Sequence, residues 1–145
     1  MKILAQSREE TASVAETFLA GLIPSKKATV VALQGDLGAG KTAFTQGLAW
    51  ALGVEETVTS PTFVIEKIYK LPLGAKFNHL IHFDCYRLES PQELMTLGFK
   101  EILADPGNLI VLEWPERVAA ILPTETKTII FHFIDETTRE IIYAD

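Results

Sequence analysis

Cysteine, long apolar runs and positive charge are all scarce in this sequence. The single cysteine, Cys85, cannot form a disulfide within the chain, which excludes a small secreted scaffold held together by disulfides. No apolar run reaches the roughly 20 residues that a membrane-spanning helix needs. Residues 1–6 become polar before the apolar core of a signal peptide could form. We therefore expect a soluble, cytoplasmic protein that does not act at a membrane.

Negative charge outweighs positive charge. The chain has 13 Lys and Arg residues against 19 Asp and Glu residues, which gives a net charge of −6. Proteins that hold nucleic acid by themselves neutralise its phosphates with Lys and Arg, and their binding domains are basic. The composition therefore argues against DNA binding and against unaided RNA binding. Any RNA that the protein serves is expected to be carried by a partner.

The sequence does contain enough apolar material for a folded core. Its 145 residues match one domain of ordinary size, and 48% of them are hydrophobic, close to the average for globular proteins. We therefore expect one domain over residues 1–145.

Helical and strand patterns alternate along the chain. S-x-x-E capping boxes at Ser7 and Ser90 predict two helix starts, the second with Pro91 at the first helical position. The predicted helices cover about 7–22, 41–52, a broken stretch over 90–104, and 115–122; the predicted strands cover 28–33, 62–69, 77–86, 109–112, 126–134 and 139–143. The second and third strands form one predicted hairpin, and the last two form another. This alternation is typical of an α/β fold, here with a mixed sheet flanked by helices.

The strongest motif is a glycine-rich segment between the first predicted strand and the second predicted helix. Residues 35–42, G-D-L-G-A-G-K-T, match the phosphate-loop pattern G-x-x-x-x-G-K-S/T at every fixed position. Glycines let backbone N–H groups approach phosphate oxygens, and the helix that follows adds its positive N-terminal end. We expect Lys41 to reach the β- and γ-phosphates and the Thr42 hydroxyl to hold Mg²⁺.

The sequence also bears on which nucleotide, ATP or GTP, the loop binds. The chain lacks the N-K-x-D segment typical of guanine-specific phosphate-loop proteins, which favours ATP. The residues of the loop and helix start that are expected to bind it are Gly35, Asp36, Leu37, Gly38, Ala39, Gly40, Lys41, Thr42 and Ala43.

Two carboxylates follow apolar runs. The run L-I-V-L-E ends at Glu113, and L-I-H-F-D ends at Asp84. Open α/β sheets bind ligands at the carboxyl ends of their strands, so both acids are expected to face the phosphates. One could hold Mg²⁺, which prefers oxygen ligands, and the other could orient water for hydrolysis. The alternative is that each is a solvated acid at a strand end.

Other polar or aromatic residues near these acids receive structural interpretations. His82 has no second histidine at metal-ligand spacing and is interpreted as a packed strand histidine. Cys85 lacks an activating base and is interpreted as a small buried residue. Trp114 is interpreted as a cover for the edge of the core.

The loop Thr59–Phe63 is either a switch that senses the γ-phosphate or a plain proline turn, and its distance from the phosphate loop does not distinguish the two.

Taken together, four segments resemble the bacterial TsaE family, the ATPases of tRNA threonylcarbamoyladenosine biosynthesis. The segments are residues 35–42 (G-D-L-G-A-G-K-T), 59–63 (T-S-P-T-F), 82–88 (H-x-D-x-Y-R-L) and 112–117 (L-E-W-P-E-R). Their order and spacing agree with the family across nearly the whole chain. The phosphate loop alone is unspecific, whereas the four segments together are specific.

The resemblance implies a P-loop NTPase fold and an ATPase that works with the TsaD and TsaB proteins. That assembly attaches a threonylcarbamoyl group to adenosine 37 of tRNAs that read codons starting with A. ATP hydrolysis would support its turnover, and tRNA would be reached only through the complex. By matching position, Lys41 would bind the phosphates, Thr42 and Glu113 would hold Mg²⁺, and Asp84 would assist hydrolysis.

The resemblance also implies nucleotide contacts outside the phosphate loop. Ser60–Phe63 would form a switch-like loop, with Thr62 at the nucleotide. Thr11, in the first helical turn, and Glu116 would lie near the nucleotide as well. It assigns no role to the C-terminal hairpin, which carries Arg139.

Two alternatives to this ATPase are open. The first is a small-molecule P-loop kinase, which usually adds an acceptor-binding segment and an arginine-rich lid. Here residues 62–86 are predicted to form a hairpin instead, and few arginines follow the phosphate loop. The second is a nucleotide-responsive binding module, which differs from the ATPase only in whether hydrolysis matters.

Overall fold

Strands and helices alternate along the chain in the computed structural model, which describes residues 1–56, 58 and 65–144. The strands are β1 (Lys2–Ala5), β2 (Thr29–Gln34), β3 (Glu66–Lys70), β4 (His79–Asp84), β5 (Asn108–Glu113), β6 (Lys127–Phe133) and β7 (Arg139–Tyr143). The helices are α1 (Arg8–Ala20), α2 (Lys41–Ala51), α3 (Pro91–Thr96) and α4 (Phe99–Ala104), with short 3₁₀ helices at Pro115–Arg117 and Ala119–Ile121.

The described strands form one sheet in the order β1-β7-β6-β2-β5-β4-β3. Four central strands run parallel, because β2 pairs in parallel with both β5 and β6, and β4 pairs in parallel with β5. The outer pairs β3–β4, β6–β7 and β1–β7 are antiparallel. This confirms the predicted α/β fold with a mixed sheet, including both hairpins. The carboxyl ends of the four parallel strands meet at one edge, where such sheets bind ligands.

Each face of the sheet is covered by helices. Val31 of β2 belongs to the apolar core that packs against α1 and α2, whereas its neighbour Val30 belongs to the core under α3 and α4. Because successive side chains of a strand point to opposite faces, a strand buried on both sides is apolar throughout. In the second core the rings of Phe83 and Phe99 meet edge to face, with centroids 5.6 Å apart.

The two helix caps predicted from sequence have different outcomes in the structure. The Ser7 hydroxyl accepts a hydrogen bond from the Glu10 N–H at 3.0 Å, so the first predicted cap is confirmed. The Ser90 side chain makes no such bond, so that part of the prediction is wrong, although Pro91 does begin α3. The predicted break in this stretch is confirmed: α3 ends at Thr96, α4 begins at Phe99, and Gly98 between them has a φ of +83°.

Two further differences from the prediction concern short elements. Strand β1 was not predicted, and residues 115–122 form two 3₁₀ helices in place of one short helix. Residues 62–64 of the second predicted strand lie outside the described residues, and β3 begins at Glu66. No helix in the described ranges is long and apolar enough to cross a membrane.

Candidate functional site

A cleft of about 820 Å³ opens at the carboxyl edge of the parallel strands. Its size is typical of sites for small molecules and cofactors. The phosphate loop, the ends of β4 and β5, the start of α1 and the C-terminal hairpin all contribute to its walls. The lining residues are Gln6, Ser7, Arg8, Thr11, Leu37, Gly38, Gly40, Lys41, Thr42, Ala43, Asp84, Glu113, Trp114, Glu136, Thr137 and Arg139.

The phosphate loop connects β2 to α2 in a conformation that its glycines permit. Gly38 and Gly40 have φ values of +78° and +104°, in the left-handed region that side chains disfavour. A Cβ atom on Gly35 would lie 2.6 Å from the carbonyl oxygen of Phe131, so only glycine fits there. Since α2 begins at Lys41, the first amide N–H groups of the helix have no partner within it and are available to an anion.

Lys41 places its ammonium group inside this loop. Its Nζ donates a hydrogen bond to the carbonyl oxygen of Gly35 at 2.6 Å and lies 3.9 Å from the ring centre of Trp114. Burial lowers the pKa of Lys41, and the negative charge of Glu113 and neighbouring carboxylates opposes that shift. A positive charge is thus held beside the loop amides, and this combination suits phosphate groups.

The two predicted carboxylates are brought together. Asp84 ends β4, Glu113 ends β5, and the two residues are direct partners in the register of these strands. Glu113 is buried, and its Oε2 lies 2.8 Å from Nε2 of the buried His82. Asp84 is half-buried and accepts a hydrogen bond from the Tyr86 N–H at 3.0 Å. The pair therefore offers one carboxylate in a fixed environment and one closer to solvent.

Trp114 has more than the covering role predicted from sequence. It does pack against the core under α3 and α4, but its backbone has a φ of +59°, and within the described ranges no other non-glycine residue has a positive φ. Its ring lies against the Lys41 ammonium and against Tyr86, with the two ring centres 4.9 Å apart. Strained backbone of this kind is concentrated at functional sites.

The C-terminal hairpin also reaches the site, a contribution that sequence reasoning missed. Arg139 donates from Nε to the carbonyl oxygen of Gly38 at 2.9 Å and from Nη1 to that of Asp135 at 2.6 Å. The guanidinium thereby ties the hairpin to the phosphate loop. No local motif could reveal this contact, because it depends on β6 pairing with β2 and on β7 pairing with β6.

The other predicted residues fall into three groups. Thr11 is almost fully buried in the wall of the cleft, with Ser7 and Arg8 beside it. Gly35, Asp36, Ala39 and Glu116 do not line the cleft, although the charges of Asp36 and Glu116 do act on the pKa of Lys41. Thr62, with the rest of the loop Thr59–Phe63, lies outside the described residues.

Comparison with known proteins identifies the family. Residues 5–141 match the family profile described as threonylcarbamoyl adenosine biosynthesis protein TsaE. The chain belongs to the TsaE family. A TsaE protein of Treponema pallidum is 39% identical over 144 residues, which cover 99% of this chain and 100% of that protein. TsaE of Bacillus subtilis is 38% identical over 139 residues, covering 94% of this chain and 80% of the relative.

A solved structure agrees with this assignment. The crystal structure of Bacillus subtilis YdiB superposes with a TM-score of 0.77 at 32% sequence identity, covering 99% of this TsaE family chain and 83% of the YdiB chain. The resemblance seen in the four sequence segments is therefore confirmed at the level of family and fold.

The donors in the cleft of this TsaE family protein suit a magnesium ion that arrives with a nucleotide. Thr42 and Glu113 both line the cleft and offer oxygen atoms, the ligands that Mg²⁺ prefers. In the described part of the chain, no three His, Cys, Asp or Glu side chains come together in a metal-binding group. Nucleotide-dependent sites commonly hold Mg²⁺ with one or two protein ligands plus substrate phosphates, so this sparse set fits such an ion.

Proposed function

We propose that this TsaE family protein binds ATP with Mg²⁺ and hydrolyses it in support of tRNA threonylcarbamoyladenosine biosynthesis. One observation carries the proposal: the phosphate loop, its buried lysine and two strand-end carboxylates line the same cleft. The family match supports the biosynthetic context. We further propose that the protein works with TsaD and TsaB and that tRNA is contacted only through that complex, which agrees with the net charge of −6.

The proposed roles follow from the position of each group. The loop amides and the Lys41 ammonium bind the phosphates, while Thr42 and Glu113 hold Mg²⁺. When bound, Mg²⁺ neutralises negative charge on the phosphate oxygens. Asp84 is the group available to orient water or accept its proton, because it is closer to solvent than Glu113 and lines the same cleft.

Further nucleotide contacts are proposed around this centre. Thr11 is buried in the cleft wall, and Glu116 carries a charge close enough to act on Lys41. Thr62 is proposed as a contact from the switch-like loop on the family resemblance alone. The nucleotide would lie between the start of α1 and the C-terminal hairpin, since both line the cleft.

A substitution of Lys41 tests the proposal. Lys41→Ala removes the ammonium from the loop, and we expect loss of ATP–Mg²⁺ binding in calorimetry and loss of threonylcarbamoyladenosine in tRNA from complemented cells. Lys100→Ala is the matched control, because Lys100 is an exposed lysine of α4, on the opposite face of the sheet from α2. Unchanged tRNA modification with Lys41→Ala would overturn the proposal.

The same assays separate the ATPase from the two alternatives. Hydrolysis by the purified protein should rise when TsaD and TsaB are added. Transfer of phosphate to a small-molecule acceptor instead of water would indicate a kinase. Full cellular function of a variant that binds ATP but cannot hydrolyse it would indicate a binding module.

A further inference from the structure

We propose that His82 is a positioning residue that fixes the carboxylate of Glu113 in the orientation needed to hold Mg²⁺. The inference rests on the proposed function, because it concerns the metal-binding role of Glu113. It assigns His82 a task beyond the strand packing that the sequence predicts.

The first argument is the cost of burying this ring. His82 is fully buried in β4 between Ile81 and Phe83, both of which are buried and apolar. An aliphatic or aromatic side chain would fill the position without removing polar nitrogens from water. A buried polar side chain is expected to have a hydrogen-bond partner, and the identity of that partner indicates the role of the His82 ring.

The partner is the proposed metal ligand. Nε2 of His82 lies 2.8 Å from Oε2 of Glu113, and both side chains are buried. Nδ1 of His82 is also buried and has no hydrogen-bond partner among the described residues. A hydrogen on Nδ1 would therefore be an unpaired buried donor, so the favoured tautomer carries it on Nε2 and donates it to the carboxylate.

The register of the strands places His82 on the interior side of Glu113. In the pairing of β4 with β5, Asp84 lies opposite Glu113, whereas His82 lies opposite Val111, two residues further from the carboxyl edge of the sheet. His82 and Asp84 are two residues apart and point to the same face. His82 does not line the cleft, so it reaches Glu113 from the interior while the nucleotide would approach from outside.

This arrangement resembles the general design of metal sites in which a second residue orients a ligand. The hydrogen bond occupies one carboxylate oxygen of Glu113 and restricts the rotation of its side chain, which leaves the other oxygen to meet a cation. A cation then binds without first having to order the ligand. Loss of such an orienting partner typically weakens metal affinity by about 10- to 100-fold.

Three substitutions of His82 separate positioning from packing. In His82→Gln the amide can place an N–H donor near the position of Nε2, in His82→Asn the donor is too short to reach Glu113, and His82→Leu has no donor. Calorimetry with ATP would be run in EDTA and at graded Mg²⁺ concentrations. We expect all three to bind ATP in EDTA within about twofold of the wild type.

The expected difference appears only with the metal. His82→Asn and His82→Leu should need about 10-fold more Mg²⁺ to reach the same ATP affinity, and His82→Gln should recover most of the loss. His79→Asn is the matched control, because His79 lies on the same strand at its opposite end, and it should behave like the wild type. Equal losses with Gln, Asn and Leu, or losses that are already present in EDTA, would indicate packing alone and overturn the proposal.

Two further measurements keep the outcome decisive. If Glu113→Ala changes the Mg²⁺ requirement but His82→Asn does not, the inference fails while the proposed function stands. If Glu113→Ala itself has no effect, the proposed Mg²⁺-binding role of Glu113 fails and the inference fails with it, whereas ATP binding and hydrolysis are tested separately by Lys41→Ala. If Asn and Leu at this position prevent folding, ¹⁵N spectra of the wild-type histidine rings decide. We expect the Nε2–H tautomer at His82, retained with ATP–Mg²⁺, and an Nδ1–H tautomer would overturn the inference.

Discussion

At the residue scale, the two strand-end carboxylates lie side by side but in different surroundings. Glu113 is buried against His82, whereas Asp84 is half-buried and bonded to the backbone of Tyr86. We expect Glu113→Ala to reduce the gain in ATP affinity that Mg²⁺ provides, because a proposed ligand of the ion is lost. We expect Asp84→Ala to spare binding and to lower hydrolysis by about 100-fold, the scale of a lost general base.

Binding by calorimetry and phosphate release by a coupled assay would distinguish these effects. Glu93→Ala is the control, because Glu93 is an exposed carboxylate of α3. If both site variants lost ATP binding equally, the proposed division of roles between the two acids would be wrong.

Cys85 directly follows Asp84 and is fully buried. Burial raises the pKa of its thiol to about 12, with smaller contributions from the negative charges of Asp84 and Glu113. Because the thiolate is the reactive form, we expect no labelling of the native protein by a thiol reagent at pH 8 and stoichiometric labelling after denaturation. Rapid labelling of the folded protein would show that this end of β4 opens.

At the scale of elements, the packing of α1 against α2 depends on one glycine. A Cβ atom on Gly47 would lie 2.7 Å from Cα of Ala12, which is too close for the helices to keep their separation. Replacing a helical glycine with alanine ordinarily stabilises by about 0.5–1 kcal/mol, but overpacking costs about 1–3 kcal/mol. We therefore expect Gly47→Ala to lower the free energy of unfolding, by about 1 kcal/mol.

Thermal unfolding would show this as a fall in Tm of about 2–4 °C. Gly21→Ala is the matched control, because its Cβ would lie 3.6 Å from the Phe18 carbonyl oxygen, an ordinary contact, and its φ is −84°. Its Tm should stay the same or rise slightly. A stable Gly47→Ala variant would mean that the two helices can separate at little cost.

The turn of the C-terminal hairpin is held by one carboxylate. Oδ1 of Asp135 accepts hydrogen bonds from the N–H groups of Thr137 and Thr138 at 2.9 and 2.8 Å, and these bonds lower its pKa. A carboxyl with a lowered pKa stabilises the fold above its unfolded pKa of about 3.9, and this contribution is lost as the pH falls through the folded pKa.

We therefore expect Asp135→Ala to reduce the Tm at pH 7 and the deficit to shrink as the pH is lowered below about 4. Asp135→Asn keeps an oxygen acceptor without the charge, so its deficit at pH 7 should be smaller. That deficit should also shrink at low pH, because the carboxyl that titrates is the one in the wild type. Melting curves from pH 3 to 7 provide the measurement. A deficit of Asp135→Ala that is constant with pH would contradict the assignment.

The order and type of most elements could be predicted because their signals are local. The segment from β2 through the phosphate loop to α2 combines an apolar run, a glycine motif and a helical pattern in one stretch. β1 could not be predicted, since Lys2–Ala5 is short and receives its hydrogen bonds from β7 at the other end of the chain. The Ser90 motif predicted a side-chain cap that the fold does not form.

The candidate site divides in the same way. Lys41, Asp84 and Glu113 could be named from sequence because each stands at a fixed place in a motif or at a strand end. The contacts of His82 with Glu113 and of Arg139 with Gly38 could not, because each joins segments that only the sheet register brings together. Sequence therefore identified the groups at the cleft but not the residues that hold them in place.

At the scale of the whole molecule, a second group of positive charges lies away from the candidate site. Lys26, Lys27 and Lys127 line a second cleft of about 660 Å³, which also contains Thr29, the first residue of β2. Since Lys127 begins β6, this cleft lies at the amino edge of the parallel strands, opposite the phosphate loop. Any phosphate backbone attracted there would be remote from Lys41.

Charge and its distribution together give the last prediction. Because the chain carries a net charge of −6, we expect the isolated protein to show no binding of tRNA in gel-shift titrations at about 0.15 M salt, a condition in which nonspecific binders have Kd values of about 10⁻⁴–10⁻⁶ M. The tRNA band should shift once TsaD and TsaB are added. The TsaD–TsaB pair without this protein is the control. Micromolar binding by the isolated chain that falls steeply with salt, and that is abolished by Lys27→Glu, would instead show that the amino-edge cleft holds RNA directly.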